Sequence, residues 1–585
     1  MAKTKKDGYI SFEIKIGSQK YVSSGPLLSL ETYYEFNRIP TATIVFKDGD
    51  PSKQDFELSS EKYMNPGEKV EISLGYKGSN KPVFKGVIIR HSIRASKTVG
   101  TYLKIECKHP VFNMTVGKSI RYFEKQDDKK ILQSLFSENK VNSVSLSGTY
   151  VKKDSYLQYN TNDWDLALSR AAINSKVISF DLDKVVVEDP KISGSSKDIF
   201  EFGKDLFDYD AEVNAEFQMP KVEAFSWDSK TQKAIKGTNT SSSIKQLENS
   251  GVKHSDLETV IPRKSYEYYH NGELTKAELD GWTKSKNIQS SLNKIIGSFK
   301  VKGENDLKLG DVIELKGLGT KFSGKILVTG IRNDYTKEGW FTDIQFGYSQ
   351  RILGGSKSTD EYGSIVGETI STRGLQIGKV LKIDGDPDSR IQISLPVAGE
   401  KIKVWARMAA EDAGNKRGFI FWPEKGDEVI VGFLNDDPNF PIILGSLYSK
   451  KNSPVFKPDP KNPEKGIITK SDIRIVFNDK DKQVQIKTPG GNSISLDDKK
   501  KSILLKDQNN HIVKLDKKGI TLVSKGDITL NATKNVNIKG KGKIVIDGMN
   551  VTAKAKTKFM AQGSAGVDLK SSGIATVKGS IVKIN

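Results

Sequence analysis

The sequence has few of the residues that most often build catalytic or metal-binding sites. One of its 585 residues is cysteine, Cys107, which excludes an intramolecular disulfide framework and is compatible with a reducing compartment. The five histidines are scattered, and neither a Cys-x-x-Cys nor a His-Glu-x-x-His motif is present. We therefore expect no catalytic residue, no metal and no cofactor, and we predict that the protein is not an enzyme.

Long apolar runs and a secretory leader are also lacking. No apolar stretch approaches the roughly 18 residues that cross a membrane. The sequence opens with Met1-Ala-Lys-Thr-Lys-Lys6 and continues in polar residues, without the apolar core of a signal peptide. If the protein leaves the cell, we expect a route other than general secretion to carry it.

Positive charge is unevenly distributed along the chain. The net charge is +20, and residues 451–585 hold 27 Lys and Arg against 12 Asp and Glu, so 27 − 12 = +15 of it lies in the last quarter. Such charge could attract nucleic acid or an anionic membrane. The lysines are not interleaved with aromatic residues, as in single-strand binding surfaces. The pattern favours a narrow fibre that its lysines keep soluble.

Apolar residues from Gly526 to Asn585 come in pairs two residues apart, and the pairs recur about every eight residues, with one seven-residue step before Val551. This alternation predicts β-strand, and the Lys, Gly, Ser and Asn residues between the pairs predict bends. The predicted core of this needle consists of Ile528, Leu530, Val536, Ile538, Ile544, Ile546, Val551, Phe559, Val567, Leu569 and Val577.

One eight-residue repeat is too short to form a complete coil. At about 3.3 Å per residue it spans roughly 26 Å, enough for one face of a triangular prism. Burying two aliphatic side chains contributes about 3–6 kcal/mol, whereas ordering eight backbone residues costs about 8–16 kcal/mol. Contacts with other chains must supply the difference, which indicates an intertwined homotrimeric β-prism. A single-chain β-solenoid remains the alternative.

Two stretches of the first 350 residues look like the same unit. Pro66–Gly75 is followed by Phe84–Ile89, and Leu309–Leu315 is followed by Phe322–Val328. Each unit has a tight turn, a strand, a loop, and then Phe-x-Gly with a second strand. The repetition predicts two related small β-barrels.

An α/β portion is predicted between these units. Lys129–Phe136 and Asp163–Ala172 have helical periodicity. Asn162, with Asp165 three residues later, resembles a capping box.

A compact domain is predicted from Gly374 to about Tyr448. Its predicted strands are Gly378–Ile383, Arg390–Leu395, Ile402–Arg407, Gly418–Trp422 and Glu428–Phe433. Five short antiparallel strands suggest an oligonucleotide-binding (OB) type barrel. Trp405 and Trp422 could stack on bases, but their aliphatic neighbours favour a place in the core.

The motifs of this compact domain resemble the spike barrel of VgrG proteins and of phage baseplate spikes. They are Gly378-Lys-Val380, Asp384-Gly-Asp-Pro387, Val404-Trp-Ala-Arg407, Phe421–Phe433 and Asp437–Tyr448. Tyr159–Leu166 and Trp227–Gln232 are similar to motifs of the VgrG hub, and Gly573–Asn585 looks like the end of a VgrG needle. The resemblance assigns family-motif positions to Trp164, Gly378, Asp384, Pro387, Trp405, Arg407, Trp422, Pro423, Gly426, Asp427, Gly432, Pro438 and Gly445.

The resemblance implies a homotrimeric hub and spike of a contractile injection machine. Two related barrels in each of three chains would present a pseudo-sixfold ring to a hexameric inner tube, and the needle would pierce a target membrane. The implied partners are further copies of the chain, the tube protein, baseplate proteins, a PAAR-type tip protein and cargo effectors. Stiffness and trimer stability, rather than covalent chemistry, would be the mechanism.

The resemblance also organises the chain into domains. We expect a hub with two related barrels and an α/β insertion at 1–353, a linker at 354–373 and the OB-type barrel at 374–450. A connector at 451–470, a β-meander neck at 471–525 and the needle at 526–585 would follow. About 20 residues separate barrel and neck, too few for the lysozyme domain of the phage spike. We also expect no effector domain after the needle and no His-x-His iron site at a tip.

Two other functional classes remain open. A trimeric surface fibre would share the needle, but it should also carry a signal peptide or an anchor. A basic OB-barrel protein that binds nucleic acid would use the positive charge, with Trp405 or Trp422 stacking on bases. A type VI secretion system, an extracellular contractile particle and a phage tail all fit the sequence as the host machine.

Overall fold

The structure is a computed structural model of the 585-residue chain, and it describes residues 8–22, 26–153, 155–216, 218–240, 244, 246–247, 251–347, 372–399 and 402–584. The chain forms two compact units, Met1–Ser453 and Pro454–Asn585. The predicted linker at 354–373 lies outside the described residues except for its last two positions.

The first 347 residues are mainly β-strands. They comprise β1 (Ile10–Ile16), β2 (Gln19–Val22), β3 (Leu27–Glu35), β4 (Thr41–Lys47), β5 (Lys69–Tyr76), β6 (Ser79–Ser96), β7 (Gly100–Lys108), β8 (Ser119–Glu124), β9 (Val144–Leu146), β10 (Ser155–Thr161), β11 (Val177–Asp181), β12 (Lys184–Glu188), β13 (Ile199–Glu201), β14 (Leu206–Val213), β15 (Val222–Asp228), β16 (Lys233–Asn239), β17 (Tyr266–His270), β18 (Ile295–Lys302), β19 (Val312–Lys316), β20 (Gly324–Thr336) and β21 (Gly339–Phe346).

Thirteen of these strands form one sheet. Its main order is β14-β18-β21-β20-β3-β4-β7-β6-β5-β1-β2, with β19 paired to β20 and β13 paired to β19. Smaller sheets are β10-β8, β11-β12-β9 and β16-β15-β17. Alternate residues of the large sheet, including Phe46, Phe84, Phe299 and Phe346, are buried in one core. Because strand side chains alternate between faces, this period-two pattern explains why these segments form strands.

The predicted repeated unit is confirmed as a pair of equivalent hairpins, β5-β6 and β19-β20. Both begin at a glycine with positive φ, +103° at Gly67 and +85° at Gly310. The Gly67 N–H donates to the Ile88 carbonyl at 2.9 Å, and the Gly310 N–H donates to the Val328 carbonyl at 2.9 Å. The two predicted barrels appear as two related halves of one sheet, joined where β20 pairs with β3.

Within the described residues, five α-helices accompany these sheets: α1 (Asp128–Glu138), α2 (Asp163–Ile173), α3 (His254–Glu258), α4 (Lys276–Leu292) and α5 (Gly319–Phe322). The two predicted helices are confirmed as α1 and α2. Asn162 caps α2, since its Oδ1 accepts from the Asp165 N–H at 2.7 Å. The helical pattern of α4 was missed. None of the described helices has the length and apolar character needed to cross a membrane.

The next domain is a closed five-stranded barrel in the order β22-β23-β24-β28-β27. Its strands and an adjacent two-strand hairpin are β22 (Gln376–Lys382), β23 (Ile391–Ser394), β24 (Lys403–Met408), β25 (Ala413–Gly414), β26 (Arg417–Gly418), β27 (Glu428–Phe433) and β28 (Pro441–Ser446). The barrel confirms the predicted OB-type architecture. One predicted strand, Gly418–Trp422, is wrong, because residues 419–422 are not a strand and β28 completes the barrel.

The second unit begins with a seven-stranded antiparallel meander, which we call the neck sheet. Its strands are β29 (Glu464–Ile468), β30 (Arg474–Asn478), β31 (Gln483–Lys487), β32 (Ser493–Asp497), β33 (Ser502–Lys506), β34 (Ile512–Asp516) and β35 (Gly519–Val523).

Two rows of apolar side chains cross one face of the neck sheet. The first row is Ile467, Ile475, Ile486, Ile494, Leu505, Val513 and Leu522, each opposite the next in register. The second row is Phe477, Val484, Leu496, Ile503, Leu515 and Ile520. Residues two apart on a strand share a face. The paired pattern in the sequence is therefore one apolar face of a single sheet.

Residues 524–584 form no strand or helix within the chain. Backbone bends begin at positions 525, 533, 541, 549, 556, 564, 572 and 580. These bends recur every eight residues with one seven-residue step, and each comes five residues after the first member of an apolar pair. The sequence repeat is therefore also a backbone repeat.

Candidate functional site

The needle segment, residues 526–584, exposes its apolar repeat in the single chain. The eleven predicted core side chains have exposed fractions from 51% at Ile544 to 83% at Leu569. An apolar surface of this size is unfavourable in water and marks an interaction site. Its backbone N–H and C=O groups also need partners. The burial of these side chains by other chains stays a prediction.

The barrel meets the hub through the loop Asp437-Pro-Asn-Phe440 between β27 and β28, and we call this contact the joint. The Leu157 N–H of β10 donates to Asn439 Oδ1 at 2.6 Å. The Asn439 N–H and Nδ2 donate to Asp437 Oδ1 at 3.0 and 2.7 Å, which holds the loop in shape. The Phe440 ring packs edge-on against the ring of His270, with centroids 5.4 Å apart.

His270 and Asp437 form the buried centre of the joint. Both side chains have no exposed surface, and His270 Nε2 lies 3.2 Å from Asp437 Oδ2. The Gly272 N–H donates to His270 Nδ1 at 3.0 Å, so the neutral ring carries its proton on Nε2, facing the carboxylate. Burial raises the pKa of Asp437, but His270 and Lys153 outweigh burial and hold that pKa below its ordinary value. The carboxylate is therefore ionised at neutral pH.

Further buried charges surround the joint. Lys153 Nζ lies 2.5 Å from Glu278 Oε1, and Glu278 also caps α4 by accepting from the Thr275 N–H at 2.9 Å. The fully buried Arg170 lies 3.6 Å from Asp128, and its guanidinium stacks 4.3 Å from the Tyr156 ring centroid. Removing one member of a buried ion pair typically costs about 3–5 kcal/mol. We therefore expect the loss of any one of these charges to destabilise the joint.

Three further contacts connect the hub and the barrel. The Tyr159 hydroxyl donates to Gln376 Oε1 at 2.8 Å, and Arg407 lies 3.6 Å from Glu273. Leu157 is buried in the same apolar cluster as the barrel interior. The barrel is thus attached by apolar, polar and ionic contacts.

Several family-motif positions shape the barrel or pack in the interior. Trp164 is buried in α2, and Pro423 and Pro438 are buried in barrel loops. A Cβ at Gly378 would meet Val431 Cγ2 at 2.9 Å. Gly426 has φ +98°, in a turn where the Glu424 N–H donates to Asp427 Oδ2 at 2.8 Å.

Two more glycines among these positions lie on the last barrel strands, Gly432 on β27 and Gly445 on β28. Gly445 lies opposite Ile430, and the register shifts between Ile430 and Val431. A Cβ at Gly445 would have no atom within 4 Å.

Asp384 and Pro387 lie in the loop after β22, but a third residue holds that loop. The Asp384 side chain is 79% exposed, and Pro387 is exposed too. Asp386 accepts from Arg390 Nε at 3.0 Å and from Nη2 at 2.8 Å, which is a bidentate ion pair. The sequence prediction missed Asp386, although its position before Pro387 was a signal for a turn.

The predicted core position of Trp422 is wrong for the single chain, because this side chain is 48% exposed. Trp405 on β24 is half-buried. Phe419, Ile420 and Phe421 are exposed as well, because residues 419–422 leave the barrel instead of forming a strand of it.

The joint residues were mostly missed by sequence analysis. The family motif Asp437–Tyr448 contains the whole Asp437–Phe440 loop, but Pro438 is the only residue of this loop that was predicted as a site position. His270, Lys153 and Arg170 carried no sequence signal, because their partners are distant in the chain. No group of three or more potential metal ligands occurs in the part of the chain that the structure describes.

Gly272→Ala is expected to weaken the joint. A Cβ at Gly272 would overlap the Phe440 ring, so the ring would have to move from its contact with His270. Overpacking of this kind costs about 1–3 kcal/mol. Urea unfolding of the full chain measures the change, with Gly445→Ala as the matched control because its Cβ has open space. Equal stability of the two variants would contradict the prediction.

Two family models match the chain. A model described as the Alg8 N-terminal domain matches residues 6–337, more than half of the chain. A model described as the type VI secretion system/phage-baseplate injector OB domain matches residues 376–448, the segment that forms the closed barrel.

Individual curated relatives match short segments of the chain. Type VI secretion system spike protein VgrG3 of Vibrio cholerae is 40% identical over 82 residues, 13% of this chain and 8% of that protein. Actin cross-linking toxin VgrG1 of Vibrio cholerae is 40% identical over 76 residues, 12% of this chain and 7% of that protein. The chain thus spans less than a tenth of the length of these curated relatives.

A solved structure shares the fold over most of the chain. The lidded Francisella PdpA-VgrG complex superposes with a TM-score of 0.50 at 10% identity, covering 88% of this chain and 80% of that chain. The Alg8 N-terminal model covers the hub, the injector model covers the barrel, and the curated relatives are VgrG proteins. The chain belongs to the Alg8 N-terminal domain family, and it is similar to VgrG-type spike proteins of contractile injection systems.

Proposed function

We propose that the protein is the homotrimeric hub and spike of a contractile injection machine. In this role it adapts a hexameric inner tube to a threefold needle, which pierces a target membrane so that cargo is delivered. The action is mechanical and needs no covalent chemistry. The chain assembles in the bacterial cytoplasm and leaves as part of the particle.

The needle segment carries this proposal. Its bends recur with the apolar pairs, so every repeat presents two apolar side chains in the same way. All of the described residues from 526 to 584 are exposed, and none is in a strand of its own chain. An extended backbone with exposed apolar pairs gains stability when neighbouring strands cover it. Two further copies of the same chain supply matching repeats, which favours an intertwined prism.

The neck sheet supports the same arrangement. Its two apolar rows end at Ile520 and Leu522, and the needle pairs follow from Ile528 and Leu530 with the same two-residue spacing. In a trimer, apolar side chains of the neighbouring copies would cover both the apolar face of the neck and the apolar pairs of the needle. The proposed prism therefore extends over both segments.

The hub supports adaptation to a tube of sixfold symmetry. Each chain contains two related halves of a sheet, so three chains supply six such halves. The proposed partners besides the two other copies are the inner tube protein, baseplate proteins, a PAAR-type tip protein and cargo effectors. The joint would transmit the axial load from hub to barrel, because its buried charges and packed rings resist displacement.

The solution mass of the full chain tests the proposal. Light scattering after size exclusion should give three chain masses, and the trimer should persist at about 0.5 M salt, where exposed charges are screened. Negative-stain images should show a threefold particle with a narrow extension. A monomeric mass both at low salt and at about 0.5 M salt would overturn the proposal.

A further inference from the structure

The two halves of the large hub sheet repeat strand by strand. The order β3-β4-β7-β6-β5 in the first half corresponds to β14-β18-β21-β20-β19 in the second. Register irregularities occupy the same places, between Ile88 and Arg90 on β6 and between Val328 and Gly330 on β20. A second pair of equivalent register irregularities falls after Leu27 on β3 and after Leu206 on β14. These shared irregularities align β6 with β20 and β3 with β14 residue by residue.

Only one of two equivalent junctions is formed within the chain. The C-terminal part of β20 pairs antiparallel with β3, placing Arg332 opposite Tyr33 and Asp334 opposite Glu31. Arg332 forms an ion pair with Glu31 at 2.6 Å across this junction. The counterparts of β20 and β3 are β6 and β14, which do not pair with each other in the chain.

Both strands of the unformed junction have an open edge. Among the strands that the structure describes, β14 is the terminal strand of the sheet and pairs with β18 alone. On β6, pairing with β5 covers Ser79 to Val87, so residues 90–96 have β7 on one side only. Ile93 on β6 is 51% exposed, whereas its counterpart Asn333, at the junction that is formed, is 4% exposed. Open edges of this kind readily accept another strand.

The charges on the two open edges are complementary. β14 carries Asp208, Asp210 and Glu212 on exposed positions, and the open part of β6 carries Arg90 and Arg94. Within the described residues, Arg94, Asp210 and Glu212 have no ion-pair partner. If β6 pairs with β14 in the same register as β20 pairs with β3, Arg94 lies opposite Asp210 and Ser92 lies opposite Glu212. Opposite charges facing each other across strands stabilise the pairing.

We propose that β6 of one copy pairs antiparallel with β14 of a neighbouring copy in this register. The inference rests on the proposed homotrimer and defines how its hubs join. The apolar side chains on the other face, Ile93 and Ala95, then lie opposite Ala211 and Tyr209. Three copies close a ring with six equivalent junctions, three within chains and three between chains. The interface is heterologous, and a rotation of one third of a turn closes it.

An engineered disulfide in the full chain tests the register. Ser92→Cys with Glu212→Cys places two thiols on directly opposite residues, about 4.5–5.5 Å apart between Cα atoms, within the reach of a disulfide. The native Cys107 is buried and does not compete. Ser92→Cys with Asp208→Cys is the matched control, because its second thiol lies about 13 Å from the predicted position.

The outcomes separate this inference from the proposed function. Mild oxidation should give a covalent species of three chains on a non-reducing gel for the Glu212→Cys pair and little for the control. A trimeric mass without this cross-link, or equal cross-linking of both pairs, overturns the junction but leaves the trimer. A monomeric mass without the cross-link overturns both.

Charge reversal in the cross-linking variant provides a second readout. Arg94→Glu should lower the rate of cross-linking about 1.4- to 5-fold, which is the effect expected when one cross-strand charge pair is lost. Asp210→Arg added to Arg94→Glu should restore the rate. A rate unaffected by either change contradicts the pairing of Arg94 with Asp210.

Discussion

Ile538→Asp should abolish the stable trimer of the full chain. In the proposed prism each chain buries this side chain, which contributes about 1.5–3 kcal/mol per chain and about 5–9 kcal/mol per trimer. An aspartate there would also bring three carboxylates close together in an apolar interior, at a large additional cost. Light scattering should therefore show monomers or aggregates in place of three-chain particles.

Asn537→Asp is the matched control for this change. Asn537 is adjacent to Ile538, so in an extended strand its side chain points to the opposite, outward face. The same charge at this position should leave the trimer mass and its melting temperature nearly unchanged. A trimer that survives Ile538→Asp as well as it survives Asn537→Asp would contradict the intertwined prism.

Asp437→Ala should lower the free energy of unfolding by about 3–5 kcal/mol, because it leaves the buried groups of the joint without their carboxylate. The variant removes the partner of His270 and the group that shapes the loop through Asn439. Limited proteolysis should then release the barrel from the hub faster than in the wild type. Urea unfolding at neutral pH measures the loss.

Asp384→Ala is the control for the loss of a carboxylate from the same domain. Its side chain is 79% exposed and lies 3.9 Å from Lys382, so we expect a change within about 0.5 kcal/mol. If both variants unfold at the same urea concentration, the joint does not depend on the charge of Asp437.

The pH dependence of Asp437→Asn gives a further check on the same group. The pKa of Asp437 lies below its ordinary value in the folded protein, so its stabilisation is fully present above the unfolded pKa of about 3.9. That contribution disappears as pH falls through the lower folded pKa. The stability difference between wild type and Asp437→Asn should shrink from pH 7 to pH 3. A constant difference would show that ionisation of Asp437 has no part in it.

The candidate sites differ in how much of them the sequence could predict. The needle repeat could be predicted because its signals, the alternating apolar residues and the bend residues between them, are close together in the sequence. The joint was not visible, because His270, Arg170 and Asp437 come from three separate elements. Burial turns ordinary charged residues into a network, and burial depends on which elements pack together.

The barrel shows the same division within one domain. Four of its strands were predicted, because their alternating aliphatic residues indicate strand. Residues 418–422 were assigned as the remaining strand because Phe419, Ile420, Phe421 and Trp422 are apolar, yet they are exposed. Strand β28 completes the barrel by pairing with β27 and β24. Local hydrophobicity cannot distinguish a barrel strand from an exposed apolar segment.

The sequence by itself determined the mainly β class, the repeated hub unit, the OB-type barrel and the period of the needle, since each is encoded in residues close along the chain. Only the tertiary structure decided that the two hub units share one sheet, that the two apolar rows lie on one face of the neck, and that Asp437 meets His270. These features depend on strand register and on contacts between distant segments. The energies that select them come from burial and pairing, which local sequence patterns do not contain.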